Sequence, residues 1–348
     1  MRILFVRLSS FGDVVFALPA AKALRTNLAA AHLTWAIEPP LVPLVAGAAY
    51  VDDVVPVDTR GWRRAWRAAK TREEVFDFLR RVRERPFDLV VDAQGLFKSS
   101  LVTFAASSAA RKVGFGWRTA TERVNCLATD ERVDVDRAAR PHVVDRMLAL
   151  AEHVTGRTGF DRVPDVKHLV ERKDPVVDAW LEQQGSRPFA VLQPFSSKVN
   201  KEWTAGDVVA FSAWLGAQGI QPVLRWGPGE ESRAESLLTL SKKSSSSLSP
   251  STSSSPLPLL LAPATTPASS ARLASRAALF VGADTGPTHL AAAAGTPTLV
   301  LFGPTPVERF GPIGPRTAAL REVAADYNRS GPGWPADAVH EAVRRLLA

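Results

Sequence analysis

The sequence predicts an α/β protein built from two parallel-sheet units, and three observations predict it. Short apolar runs alternate with helical stretches, the rhythm of strands connected through helices into a parallel sheet. The alternation restarts after a polar stretch, Val163 to Pro188, that contains Pro164, Pro175 and Pro188. Polar clusters follow the apolar runs at what would be the carboxyl ends of strands, where open α/β sheets bind ligands. A chain of 348 residues, 46% hydrophobic and 22% charged, can build two ordinary cores, and the expected domains are 1–170 and 171–348.

In chain order, Ile3 to Leu8 reads as a buried strand. Val14 to Leu28 reads as a helix interrupted by Pro19 near its first turns. HLTWAIEP is a second strand and VDDVVPVD a third. Arg72 to Arg85 is a charged amphipathic helix. FDLVVDAQG is a strand that ends in polar residues, and a helix follows from Leu96 to Ala106. In the second half, FAVLQPFSS is a strand opening into a polar loop, and AGDVVAFSAWLGAQG is a helix closed by Gly219. IQPVLRWGPGEE is a strand with a Gly/Pro exit. AALFVGADTG and PTLVLFGPT are further strands, with the short helix PTHLAAAAG between them. Ser241 to Pro258 is a serine/proline run too poor in apolar residues to order itself, and it is expected to be a disordered insertion. Ala336 to Ala348 reads as helical, with the first unit as its packing surface.

The bulk numbers exclude several classes. One cysteine, Cys126, leaves no intrachain disulfide. There is no signal-peptide pattern and no run near the roughly 20 apolar residues of a membrane span, so the expectation is a soluble cytoplasmic protein. The net charge of +8 favours anionic partners. A nicotinamide dehydrogenase is disfavoured, because no G-x-G-x-x-G follows the first strand. No D-x-D pair ends a strand and no His/Cys/carboxylate cluster has ligand spacing, so no metal is expected.

Five polar clusters share the strand-end position: Ser9–Asp13, Asp92–Gly95, Ser196–Lys201, Gly227–Glu231 and Asp284–His289. In GADTGPTHLAAAAG, Asp284, Thr285 and Gly286 precede a helix start with Pro287 in place. The exposed N–H groups there make an anion site, His289 faces the same turn, and helix capping by Asp284 or Thr285 is an equal alternative. In QPFSSKVNKEW, Ser196 and Ser197 can donate to phosphate oxygens and Lys201 adds a mobile charge. Glu230 can accept from ribose hydroxyls. Asp13 fits an ordinary helix N-cap, but an acid facing a nucleotide-binding half is also placed to take a proton from an acceptor. TRGWRRAWRAAK interleaves Arg60, Arg63, Arg64, Arg67 and Lys70 with Trp62 and Trp66. With Lys98 it gives the first unit a basic surface suited to a polyanionic acceptor near a membrane.

VRLSSFGDVVFALPA, DAQGLFKSS, KEW, WGPGEE and DTGPTHLAAAAGTPTLVLFGPT resemble the bacterial lipopolysaccharide heptosyltransferases, glycosyltransferase family 9, from Met1 to about Gly314. DAQG-L-x-K and the arginine–tryptophan cluster are most similar to the branch that adds the first heptose; the second-heptose branch is the alternative, and a non-catalytic glycolipid binder a weaker one. The resemblance implies a GT-B fold, two Rossmann-like domains facing a central cleft. It implies inverting, metal-independent transfer of heptose from ADP-L-glycero-D-manno-heptose to Kdo-lipid A at the cytoplasmic face of the inner membrane, with no nucleic acid involved. By the same resemblance Asp13 is the general base. Ser196, Ser197 and Lys201 hold the diphosphate, Glu230 meets the ribose, and Asp284 and His289 contact heptose and phosphate, with Thr285 and Gly286 at the helix start. Ser10, Gly12, Arg60, Arg63, Arg64, Gln94, Lys98 and Arg118 fall on the acceptor side. The sequence departs from the family in the serine-rich insertion, in the altered LAPATTPASSARLASRAALF, and in GWRTATERV, where Thr121 stands at an expected basic position.

Overall fold

A computed structural model describes residues 1–246, 256–321 and 333–348. The chain divides into two compact units, Met1–His168 and Leu169–Ala348.

The first unit runs β1 (Arg2–Val6), α1 (Phe11–Asn27), β2 (His32–Ile37), β3 (Asp53–Pro56), α2 (Thr59–Arg64), α3 (Ala69–Glu84), β4 (Leu89–Asp92), α4 (Phe97–Ala105), β5 (Arg111–Phe115), β6 (Glu131–Val133) and α5 (Val143–Thr155). A short helix, α6 (Lys167–Val170), carries the chain onward. The sheet order is β3-β2-β1-β4-β5-β6, with every pairing parallel. The strand order reverses between β1 and β4, and such a reversal opens a crevice beyond the strands' carboxyl ends. Ile3, Leu4, Phe5 and Val6 are fully buried, as an uninterrupted apolar run in the middle of a covered parallel sheet requires.

α1 begins at Phe11, three residues before the expected start, and runs through Pro19 without breaking. Pro19 leaves one intrahelical hydrogen bond unmade. The helix tolerates this because Val14 to Ala21 are buried and the helix packs along α5. The tryptophan–arginine segment is not one helix: α2 ends at Arg64 and α3 starts at Ala69.

The second unit runs α7 (Pro175–Gln184), β7 (Phe189–Gln193), α8 (Ala205–Ala217), β8 (Gln221–Leu224), α9 (Glu231–Ser246), β9 (Leu260–Leu261), α10 (Ser269–Ser275), β10 (Leu279–Ala283), α11 (Gly286–Ala293), β11 (Thr298–Phe302), α12 (Val307–Phe310), β12 (Thr317–Arg321) and α13 (Ala336–Leu347). Its order, β12-β11-β10-β7-β8-β9, repeats the topology of the first sheet, and its reversal falls between β7 and β10. Gly282 sits at that reversal. A Cβ there would stand 2.6 Å from Thr288 Oγ1 and 2.9 Å from Gln193 Cβ, so the close approach of β10 to β7 and α11 requires glycine.

Two sequence expectations need correction. The apolar face of the C-terminal helix is taken up by the second unit: Val339, Val343 and Leu346 of α13 join its core with Leu299, Leu301 and Phe211. That face packs against β10, β11 and β12 of its own sheet. The serine/proline run is ordered at both ends. Ser241 to Ser246 form the last turns of α9, and Pro256 to Pro258 lead back toward β9. There Gln221 Nε2 donates to Pro258 O, and Gly216 leaves room for the backbone of Leu257. The expected disorder of 247–255 lies outside the described residues.

Candidate active site

The first unit assembles its polar residues at the exits of β1 and β4. Asp13 is the third residue of α1. Its Oδ2 accepts from the Ser10 backbone N–H at 3.1 Å and from Ser10 Oγ at 2.9 Å, and its Oδ1 pairs with Arg7 Nη2 at 2.9 Å. Burial raises the carboxyl pKa, but the charge of Arg7 and the Ser10 hydrogen bonds outweigh it, and the net shift is downward. Capping and availability therefore coexist: the side chain is anchored at the helix start, yet remains 30% exposed and ionised. Arg7 is itself fixed, because its Nη1 donates to Ala93 O at 2.7 Å and its backbone O accepts from Trp35 Nε1 at 3.0 Å.

Gln94 ties the two strand exits together. Its Oε1 accepts from Leu8 N at 2.6 Å, while its own N–H donates to the fully buried Asp92 at 2.9 Å. Lys98 Nζ donates to Ser9 Oγ and, at 3.0 Å, to Glu38 Oε1. Glu38 is a residue that sequence reasoning missed. Its carboxylate is 3% exposed and also receives Thr59 Oγ1 at 2.7 Å and Arg60 Nε at 2.9 Å. One buried carboxylate thus orients two cations expected on the acceptor side. Gly12 lies in the same first turn of α1. Arg63 and Arg64 extend from the end of α2. Arg118 follows β5, two strands from β1, and its N–H donates to Asp134 Oδ1 at 2.8 Å.

The second unit gathers its candidates at the exits of β7, β8 and β10. Lys201 Nζ pairs with Asp284 Oδ2 at 2.5 Å, and His289 Nε2 meets Asp284 Oδ1 at 2.9 Å. Burial raises the Asp284 pKa, but His289 and then Lys201 pull it down to about 2. Ser196 and Ser197 lie on the loop before Lys201. That loop is held by a second missed carboxylate, Glu202, which accepts Ser196 N at 3.0 Å and pairs with Arg233 at 2.5 Å. Glu230 Oε2 accepts Gly227 N at 2.7 Å and so closes the WGPGE turn. Thr285 occupies the N-cap position of α11 but makes no side-chain capping bond, so its hydroxyl is not used as a cap; Gly286 begins the helix with Pro287 in its first turn. For Glu38 the sequence offers only a lone acid directly after a strand, and Glu202 lies within KEW, but neither pattern shows what its carboxylate gathers.

A family model described as glycosyltransferase family 9 (heptosyltransferase) matches residues 75–330. The chain belongs to glycosyltransferase family 9. It is 30% identical over 320 residues to lipopolysaccharide heptosyltransferase 1 of Salmonella typhimurium strain LT2, covering 88% of this chain and 89% of that one. It is 28% identical over 332 residues to the protein of the same name from Escherichia coli strain K12, covering 92% and 93%. Among solved structures it matches E. coli heptosyltransferase WaaC with ADP at a TM-score of 0.80 and 26% identity, over 99% of this chain and 100% of that one. The same enzyme with ADP-2-deoxy-2-fluoro heptose gives 0.79 at 26% identity, over 99% of each chain. These matches place the family 9 chain in the GT-B class of paired Rossmann-like units, and the loops that carry Asp13, Gln94, Lys201 and Asp284 stand at the switch points of its two sheets.

Proposed function

We propose that the protein transfers L-glycero-D-manno-heptose from ADP-heptose to a Kdo residue of the lipopolysaccharide inner core, with inversion. The observation that carries this reading is an ionised, anchored and accessible carboxylate, Asp13, at the switch point of a family 9 chain. In the proposed step the acceptor hydroxyl oxygen bonds to the anomeric carbon as the bond from that carbon to the diphosphate oxygen breaks. The electron pair leaves on ADP, and the hydroxyl proton passes to Asp13. Lys98 and Arg60, aligned by Glu38, with Arg63, Arg64 and Arg118 nearby in sequence or sheet, supply positive charge for the acceptor's carboxylates or phosphates. Ser196, Ser197, Lys201 and the start of α11 hold the diphosphate, Glu230 the ribose, and Asp284 with His289 the sugar end. Charge on the departing diphosphate is met by these groups without a metal; among the described residues no three His, Cys, Asp or Glu side chains converge as ligands.

The test supplies ADP-heptose with Kdo-lipid A or with an already heptosylated acceptor, in excess EDTA, and reads products by mass. Transfer to Kdo-lipid A is expected. Transfer only to the heptosylated acceptor would move the protein to the second-heptose branch. Rescue of a dead reaction by Mg²⁺ would overturn metal independence. ADP release with neither acceptor would sink the catalytic reading.

The acceptor is a lipid, and the first unit carries a surface suited to an anionic bilayer. No helix among the described residues is long and apolar enough to cross a membrane. On α4, however, Phe97, Leu101 and Phe104 are exposed at i, i+4 and i+7, one face of the helix. Trp66 is exposed between Arg64 and Arg67. Apolar side chains flanked by cations suit peripheral docking. Sedimentation with phosphatidylglycerol vesicles but not phosphatidylcholine vesicles is expected, and Phe104→Ser should weaken it several-fold. Equal sedimentation with both lipids, or with neither, would remove the electrostatic docking idea.

A further inference from the structure

We propose that Arg225 is a direct ligand of the phosphates of the nucleoside diphosphate, an inference that rests on the donor reading above. Arg225 follows β8 and is 4% exposed. Among the described residues its one side-chain hydrogen bond is to a neutral group: Nη1 donates to Gln193 Oε1 at 2.5 Å. Its Nε is buried and has no partner among the described residues. No carboxylate among the described residues lies within ion-pair distance of it; Glu230 acts on it only through space. A guanidinium taken out of water without a counter-charge is unfavourable, and an entering polyanion would supply that charge.

The position supports the assignment. Leu192 on β7 pairs with Leu224 on β8, and Gln193 on β7 pairs with Gly282 on β10. Arg225 therefore stands one strand from Gln193 and two strand spacings, about 10 Å, from the exit of β10 that carries Asp284. Two other cations near these exits are already matched by carboxylates: Lys201 by Asp284 and Arg233 by Glu202. Burial lowers the Arg225 pKa to about 10 despite Glu230, which still leaves the side chain charged at neutral pH. A planar guanidinium with unused N–H donors matches phosphate oxygens in geometry as well as charge. Nothing in the sequence separated this arginine from the many on the surface.

The experiment measures binding of ADP, inorganic pyrophosphate and adenosine to the full chain by calorimetry, together with thermal unfolding of the unliganded protein. Arg225→Met is expected to weaken ADP and pyrophosphate about 10- to 100-fold, to leave adenosine unchanged, and to unfold no earlier than wild type because a buried charge is gone. Arg225→Lys should retain part of the anion affinity; with Arg225→Gln it makes the same comparison if the methionine variant does not fold. ADP and pyrophosphate affinities equal to wild type overturn the proposal, as does an equal loss of adenosine, which would point to the nucleoside instead. Wild-type protein that binds pyrophosphate but not ADP overturns the ADP-donor reading, while a loss of pyrophosphate in Arg225→Met would still support Arg225 as the anion ligand.

Discussion

Asp13→Asn is expected to lower kcat by about 100-fold or more while leaving ADP affinity unchanged. Asparagine keeps an oxygen to accept from Ser10, so the start of α1 survives, but it cannot take the acceptor's proton. The Arg7 pair changes the accompanying stability effect. Arg7 is 11% exposed and loses its ionic partner in the variant, so a cost of about 1–2 kcal/mol is expected. That loss must be separated from the catalytic one by comparing folded fractions before rates. The downward pKa shift of Asp13 adds a pH test. A depressed pKa keeps the base form populated throughout the range above the usual carboxylate value, so the acid limb due to Asp13 should lie below about pH 4. A kcat/KM profile for acceptor that is flat from about pH 5 to 8 on the acid side agrees with this. Near-normal turnover by Asp13→Asn would leave the carboxylate as a helix cap and no more.

The second large effect concerns Lys201. Lys201→Ala should reduce kcat/KM for the donor by about 100-fold, because charge builds on the departing diphosphate as the glycosidic bond breaks. The same change also strips Asp284, 7% exposed, of one of its two partners. A buried carboxylate that loses a partner costs about 3 kcal/mol. Function and stability can be pulled apart with Lys201→Ala combined with Asp284→Asn. The double variant removes the stranded charge and should regain most of the lost stability without regaining activity. Activity restored along with stability would mean that Lys201 serves only to neutralise Asp284 and does not meet the donor.

The first of these residues could be read in the sequence and the second only partly. A lone acid after Ser9-Ser10-Phe11-Gly12 stands at a strand-to-helix junction on local chemistry alone. The Lys201–Asp284 pair spans 83 positions; the two residues could be named separately, but not their mutual neutralisation. That pairing shifts attention to Arg225, whose isolation from any carboxylate is a property of packing.

What the sequence determined by itself follows from local physics. Apolar runs of strand length, helix starts with Pro287 and closures with Gly219, and polar residues just past each strand are all encoded within a few positions. They suffice for two parallel-sheet units with polar clusters just past the strands. What only the tertiary structure decided depends on groups distant in sequence. Glu38 gathers Thr59, Arg60 and Lys98, and Glu202 gathers Ser196 and Arg233. The amphipathic pattern of α13 announces a helix with one apolar face but not which sheet will cover it; the second unit's core does. Pro19 marks a break on propensity alone, yet burial of α1 against α5 outweighs one missing hydrogen bond. In each case the deciding energy is burial or charge pairing between elements, which arises only when the chain has brought them together.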